Sequence, residues 1–321
     1  MQLVGRPITL YSEAMAPSPS PDPADIASGI RRRVLAHVLA NNGGYLSQAC
    51  SSAELLAALY GQVLRLAPTD GALHPPAFEA VPGPDSPRVS GGIFHGEPGP
   101  ELDRLIVSPA HYALVVYAAL IEAGRLDEAA LDQFNKDGST VEMIGAEHSP
   151  GFETTTGSLA QALSTAGGIA LGRRLKGESG RTFVFMSDGE FQEGQTWEAV
   201  QALAYYGLDS VRVVVDVNRA QCDGPMDSVM TIEPLTTKLK AFGASAESVD
   251  GHDIASLSRA LERPTGKPHF VLAYTDPVRG VPLMNKRRPV LHYLRFTGPE
   301  ERKEYEDFYA QMLLNGSEVV R

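Results

Sequence analysis

Asp188 and Asn218 are the polar residues whose positions in the sequence most clearly suggest chemistry. Asp188 follows an apolar run, 182–187, that is rich in β-branched and aromatic residues, and Asn218 follows a second such run, 211–217. Residues 191–206 between them carry apolar side chains at helical spacing, which predicts a strand, a helix and a strand. Right-handed crossovers place consecutive parallel strands side by side, so Asp188 and Asn218 are expected at the same edge of a sheet.

This pair of residues predicts a magnesium site next to a diphosphate site. One carboxylate, one amide oxygen and a nearby backbone carbonyl form part of the oxygen shell that Mg²⁺ prefers when phosphate groups supply other ligands. Gly189 has no side chain, so a diphosphate can approach the backbone closely at this position.

The motif around these residues resembles the thiamine diphosphate signature of the transketolase family, with Asp-Gly-Glu at 188–190 followed by Asn218 and then an Asp-Gly pair. Other segments resemble family motifs in the family's order: Ser108-Pro109-Ala110-His111, Gly151 to Gln161 with its Thr-Thr-Gly, Glu193-Gly194, and Gly280-Val281 through Asn285 to His292. Together the matches cover residues 25 to 295. The nearest form is the split transketolase, whose first half is a separate chain.

The resemblance implies two cofactors, thiamine diphosphate and Mg²⁺, and assigns a role to each matching residue. The implied metal ligands are Asp188, Asn218 and Ala220. The implied cofactor-binding residues are Gly157, Ser158, Leu159, Ser187, Asp188, Gly189, Glu190, Asn218 and His111. The implied catalytic residues are His111, His292 and Glu193, of which Glu193 resembles an acid that links two cofactor sites across a subunit interface. His148 is a further catalytic candidate, because it could fill the role of a missing family His.

Other interpretations of these residues remain open. Asp188 and Gly189 can form an ordinary turn, and His111 can cap a helix. His148 can be a surface residue, while Glu193 can be a first-turn glutamate that interacts with the helix dipole. The basic run 286–288 before His292 departs from the family pattern.

The chain also departs from standard transketolases around the sugar channel. Tyr45 occupies a position where the family usually has His, and the usual Gly-His-Pro before the Thr-Thr-Gly segment is absent. Tyr cannot take up a proton near neutral pH as His does. We therefore expect weaker recognition of an aldose phosphate, and a lipoyl or carrier-protein thiol is an alternative acceptor.

Two rival functions follow from other features. The Gly43-Gly44 turn and Ser51-Ser52-Ala53 resemble the homodimeric pyruvate dehydrogenase first component, which favours a 2-oxo acid dehydrogenase-like enzyme. Ser187, where the family has Gly, and Tyr45 are the support for a non-catalytic scaffold subunit.

Sequence patterns also predict the organisation of the chain. Alternating strands and helices predict an α/β fold, the thiamine-diphosphate-binding fold, with a parallel sheet and helices on both faces. We expect a disordered arm at 1–24, a diphosphate-binding domain at 25–297 with a Pro- and Gly-rich loop at 68–103, and a C-terminal helix within 298–321. Ser51 and Glu54 have capping-box spacing, which predicts a helix at 55–66.

Composition and family resemblance together indicate the partners. A net charge of −11 argues against nucleic acid and anionic membranes, and two cysteines with no membrane-length apolar run or signal pattern indicate the cytoplasm. The family's activating Glu belongs to a pyrimidine-binding domain that we expect on a second subunit, together with the C-terminal transketolase domain, in a heterotetramer. The implied activity is transfer of a two-carbon ketol unit from a ketose phosphate, in which the thiazolium accepts electrons from the breaking carbon–carbon bond.

Overall fold

The structure, a computed structural model, describes residues 21–80 and 90–315. Residues 1–20 of the predicted arm, 81–89 of the predicted loop and 316–321 of the predicted C-terminal segment lie outside these ranges. The described part of the loop includes a 3₁₀ turn at Gly91–His95.

The helices are α1 (Pro23–Asn41), α2 (Leu46–Ala58), α3 (Ala113–Glu122), α4 (Gln161–Leu175), α5 (Gly194–Tyr205), α6 (Met226–Val229), α7 (Leu235–Ala241), α8 (Ile254–Glu262) and α9 (Pro299–Asn315). The strands are β1 (Gly43–Gly44), β2 (Arg104–Val107), β3 (Thr182–Ser187), β4 (Val211–Val217), β5 (Ala220–Gln221), β6 (Gly224–Pro225), β7 (Ser245–Asp250), β8 (His269–Tyr274) and β9 (Leu294–Arg295). The predicted strands 182–187 and 211–217 are therefore confirmed as β3 and β4.

The central sheet has five parallel strands in the order β2-β3-β4-β8-β7. Its apolar side chains alternate between two buried layers: Phe183 and Phe185 belong to the core formed with α1, α2 and α3, whereas Val184 and Met186 belong to the core formed with α4, α5 and α7. Strands buried on both faces need apolar residues at every position, as the sequence of β3 shows. The predicted α/β class, with helices on both faces, is confirmed.

The prediction for the second helix was wrong about its start. Helix α2 begins at Leu46 instead of Leu55, so Ser51 and Glu54 lie inside it and form no capping box. Ser52 instead donates to the carbonyl of Gln48, one turn earlier, at 2.6 Å. A local capping pattern was misleading because serine hydroxyls also bond to backbone carbonyls within a helix.

A two-stranded antiparallel pair fixes the turn that precedes α2. Gly43 pairs with Arg295, and Gly44 with Leu294. A side chain at Gly43 would place its Cβ 2.9 Å from the Leu294 carbonyl oxygen, so the close approach requires glycine. The pairing brings Tyr45 next to the segment that carries His292.

No helix within residues 21–80 and 90–315 is both long enough and apolar enough to span a membrane.

Candidate functional site

A cavity of about 290 Å³ opens at the carboxyl edge of the sheet, where β3 and β4 end. This is the edge at which open parallel sheets bind ligands. The predicted site residues that line it are His111, Leu159, Ser187, Asp188, Gly189, Glu193, Asn218, Ala220 and His292. The predicted residues that do not line it are Gly157, Ser158, Glu190 and His148.

Asp188 and the loop after β4 are in direct contact. The Asp188 carboxylate accepts a 2.7 Å hydrogen bond from the backbone N–H of Arg219, and its residue is only 2% exposed. Burial, reinforced by the negative charge of Asp216, raises the pKa of Asp188 to about 8. A buried carboxylate that opens onto a cavity and has no cationic partner among the described residues is suited to a metal cation.

Asn218 presents its amide between the sheet and the cavity. Its Nδ2 donates to the hydroxyl of Tyr112 at 3.1 Å and to Oδ2 of Asp216 at 3.3 Å. Its Oδ1 accepts from the backbone N–H of Ala220 at 2.9 Å. A carbonyl oxygen has two lone pairs, so Oδ1 keeps one for a further partner.

The oxygen atoms of Asp188, Asn218 and Ala220 suit a magnesium ion that also binds phosphate groups. They suit a metal ion bound only by protein side chains less well. Among the described residues, no group of three or more His, Cys, Asp and Glu side chains is placed to hold a metal. Asp188, Asn218 and Ala220 nevertheless all line the cavity and offer carboxylate, amide and carbonyl oxygens. Such an incomplete oxygen shell is suited to Mg²⁺ that shares its ligands with phosphate groups.

Glu190, which is predicted to bind the cofactor, does not line the cavity. Its side chain is fully buried and accepts from the hydroxyl of Ser108 and, at 3.1 Å, from the backbone N–H of Ala160. Its other oxygen accepts from the backbone N–H and the hydroxyl of Ser187, at 3.0 and 3.1 Å. Glu190 therefore ties together three loops that surround the cavity.

The Thr-Thr-Gly segment reaches the cavity through Leu159, which lines it. Gly157 and Ser158 lie beside it and are exposed, and Gly157 has a φ of 100°, a value that favours glycine. Ala160, the residue immediately before α4, has a φ of 69°, in the left-handed region that non-glycine residues rarely adopt.

His111, His292 and Tyr45 form an aromatic group at the cavity. The ring centroids of the two histidines are 5.1 Å apart, and that of Tyr45 lies 6.1 Å from His111 and 5.6 Å from His292. Burial, followed by the nearby His292, lowers the pKa of His111 to about 3, and burial also lowers the pKa of His292. Both imidazoles are therefore neutral at neutral pH.

His148, which is predicted to be catalytic, does not line the cavity. Its Nε2 is 3.1 Å from a carboxylate oxygen of Glu142, and its ring packs against Phe78 with centroids 4.9 Å apart. Sequence reasoning could not separate the two interpretations, because the loop's course depends on its contacts with residues distant in the chain.

Several cavity residues were missed by the sequence analysis. Gln221, Cys222 and Asp223 belong to the β5–β6 hairpin, and Gln48 comes from α2. Gln48 Nε2 donates to the carbonyl of His292 at 3.2 Å, a contact between residues 244 positions apart. The Asp-Gly turn after Asn218 was a signal for the hairpin, whereas Gln48 had none.

Comparisons with known proteins identify the family. Residues 99–288 match the model of the transketolase thiamine diphosphate binding domain. A transketolase family protein of Sinorhizobium fredii is 35% identical over 87% of this chain and 91% of its own length. An apulose-4-phosphate transketolase subunit of Actinobacillus succinogenes is 31% identical over 88% of this chain and 94% of its own length.

A solved structure gives the same fold. Transketolase from Campylobacter jejuni superposes with a TM-score of 0.70 at 20% identity, over 90% of this chain and 43% of its own. The fold, the cavity and the sequence relatives agree, and the chain belongs to the transketolase family, with a thiamine diphosphate binding domain.

Proposed function

We propose that this chain is the cofactor-binding subunit of a split transketolase-like enzyme that transfers a two-carbon ketol unit from a ketose phosphate. One observation carries the proposal. The possible metal ligands Asp188, Asn218 and Ala220 line the same cavity as the two histidines, His111 and His292. A second support is the similarity to the apulose-4-phosphate transketolase subunit over almost the whole length of both chains.

In this proposal, Asp188, Asn218 and the Ala220 carbonyl would hold Mg²⁺, and the ion would offset the charge of the cofactor's diphosphate. Gly189, Ser187, His111 and the 157–159 segment would bind the cofactor. Ser187 donates hydrogen bonds from its backbone N–H and its hydroxyl to Glu190, which does not line the cavity. These two bonds fix the position of the turn that faces the cavity. Glu190 acts only through the loops that it connects.

Bound thiamine diphosphate would act as an electron sink, because it would accept the electron pair of the carbon–carbon bond that breaks. The residues of this chain would orient the ketose through hydrogen bonds to its hydroxyl groups. His111 and His292, neutral at neutral pH, each have a lone pair that can accept a hydrogen bond from a hydroxyl group.

A partner subunit would complete the site by adding the pyrimidine-binding and C-terminal domains. Glu193 is exposed at the start of α5 and lines the cavity, so it is accessible to such a partner. We include in the proposal a heterotetrameric assembly and the cytoplasmic location expected from the sequence.

The identity of the acceptor is a second question, and Tyr45 favours a non-sugar acceptor. Tyr45 places a phenol beside His111 and His292, where standard transketolases carry an imidazole. Burial raises the pKa of Tyr45, so it remains a hydrogen-bonding phenol at neutral pH. A lipoyl or carrier-protein thiol is the alternative acceptor, and a 2-oxo acid dehydrogenase-like role would use the same cofactor site.

Two experiments test the proposal. Calorimetric titration of thiamine diphosphate and Mg²⁺ into this chain together with its co-purifying partner should show binding, and absence of binding would favour a scaffold subunit. The reconstituted complex should then transfer a ketol unit from a ketose phosphate, whereas this chain alone should not. Full turnover by the purified chain alone would rule out the split arrangement.

Ribose 5-phosphate and a dihydrolipoyl acceptor, offered side by side, test the acceptor. Preferential transfer to the sugar would exclude the thiol and leave an ordinary split transketolase. Preferential transfer to the thiol would support the role proposed for Tyr45.

A further inference from the structure

Asp216 is a buried carboxylate that does not line the cavity. It lies on β4, is 0% exposed and belongs to none of the ion pairs in the described part of the chain. Hydrogen-bond donors from four directions surround it instead. Thr275 donates to Oδ1 at 2.5 Å, and Oδ2 accepts from Ser51 at 2.5 Å, Tyr112 at 2.7 Å and Asn218 at 3.3 Å.

Asn218 connects this buried carboxylate to the cavity. Its Nδ2 has two protons, and two acceptors receive them: the Tyr112 hydroxyl and Oδ2 of Asp216. The Tyr112 hydroxyl gives its own proton to Asp216, so it can only accept from the amide. The amide nitrogen is therefore fixed towards the protein interior.

The orientation matters because the two ends of an amide have similar shapes and opposite hydrogen-bonding character. Turned by half a rotation, Asn218 would present an N–H₂ group to a cation. The amide oxygen would then face the Asp216 carboxylate and the Tyr112 hydroxyl oxygen, which are both hydrogen-bond acceptors. This arrangement is unfavourable because buried acceptors would be left without a donor.

We infer that Asp216 and Tyr112 are positioning residues that hold the Asn218 amide with its oxygen towards the metal ion. The inference rests on the proposed function, because it concerns the same metal site. Neither residue needs to contact the metal or the substrate for this role.

The surrounding contacts explain why Asp216 keeps its place without a cation. Ser51 comes from α2 and Thr275 from the end of β8, so packed elements on two sides supply its other donors. These two contacts support Asp216 but do not touch Asn218. They therefore offer matched controls that remove one hydrogen bond from the same carboxylate.

The test compares Tyr112→Phe with Ser51→Ala and Thr275→Val. For each, the affinity for Mg²⁺ is measured by calorimetry with thiamine diphosphate present and the partner subunit bound, and the melting temperature is recorded. Loss of a group that orients a metal ligand reduces metal affinity by about 10- to 100-fold. We expect a loss of that size for Tyr112→Phe and a much smaller loss for the two controls.

Equal affinities in Tyr112→Phe and the controls would overturn the inference and leave the proposed function intact. If the parent complex itself binds no thiamine diphosphate with Mg²⁺, the proposed function fails, and the inference with it. A second measurement does not depend on any variant: the side-chain N–H₂ protons of Asn218 in ¹⁵N-labelled protein should exchange slowly with solvent. Fast exchange of both protons would also overturn the inference.

Discussion

The Asp188 carboxylate accepts a hydrogen bond from the backbone N–H of Arg219, and this bond joins the ends of two adjacent parallel strands. The contact keeps Asp188 and Asn218 at one cavity, although they lie far apart in the sequence. In the proposed function the same carboxylate binds the metal, so its removal should affect ligand binding more than folding.

We predict that Asp188→Ala abolishes Mg²⁺-dependent binding of thiamine diphosphate without lowering the melting temperature of the free chain. Burial and the nearby charge of Asp216 make the ionised Asp188 carboxylate unfavourable when no cation is bound, and for this reason its pKa is raised. Asp223→Ala, which removes another carboxylate lining the cavity, is the control and should retain binding. Calorimetry and thermal melting measure the two effects. Similar affinities for the two variants would contradict the assignment of Asp188.

Glu190→Gln should lower the free energy of unfolding by about 2 kcal/mol, since it leaves buried groups unsatisfied. Each carboxylate oxygen faces a backbone N–H, from Ser187 on one side and Ala160 on the other. A glutamine must turn its own N–H₂ towards one of them, whichever way it is placed.

Glu193→Gln is the matched control, with the same chemical change at an exposed position three residues later. Denaturant unfolding of both variants measures the difference. Equal stability of the two would show that Glu190 does not hold the loops together.

Ala160→Gly should raise the free energy of unfolding by about 1 kcal/mol, because Ala160 has a left-handed backbone that is costly for any residue with a Cβ. Ala162→Gly, two residues later and inside α4, should have the opposite effect and lower it by about 1 kcal/mol. Denaturant unfolding of the two variants checks the signs. A loss of stability in both would mean that the backbone at Ala160 is not strained.

His111 should make the free chain less stable as the pH falls below about 6.5, whereas Asp188, whose pKa is raised to about 8, contributes in the opposite direction over the same range. Burial lowers the pKa of His111 from 6.5 to about 3, so the folded form stays neutral while the unfolded form takes up a proton. The neutral His111 therefore favours folding above pH 6.5, and this contribution is lost progressively between pH 6.5 and about 3. Melting temperatures between pH 7 and pH 5 measure the loss.

The variant His111→Gln should gain stability relative to the parent as the pH falls from 7 to 5, since it removes the contribution of His111. His74→Gln alters an exposed histidine and serves as the control, with the pH profile of the parent. Equal pH profiles of His111→Gln and His74→Gln would count against the buried neutral imidazole.

Tyr45→His should increase transfer to ribose 5-phosphate in the reconstituted complex. The change places an imidazole beside His111 and His292, where it can hydrogen-bond to a sugar hydroxyl. Tyr45→Phe keeps the ring but removes the hydroxyl, so it should not gain sugar transfer. Steady-state kcat/KM values for the sugar test this, and an unchanged value for Tyr45→His would exclude Tyr45 as a determinant of the acceptor.

The sequence by itself determined the fold class and the family. Strands β3 and β4 were predicted to the residue because a strand buried on both faces must be apolar throughout, a requirement visible in a short local run. The placement of Asp188 and Asn218 at one edge also followed from the sequence, since it depends only on the handedness of the crossover between adjacent strands.

Only the tertiary structure decided which polar residues face the cavity. Glu190 and Glu193 are chemically alike and three residues apart, yet the first is buried among donors from distant loops and the second is exposed. His148 and His292 differ in the same way, because Gly43-Gly44 pairs with the strand after His292 while Phe78 and Glu142 hold His148 elsewhere. Such contacts join residues far apart in the chain, and no local pattern encodes them.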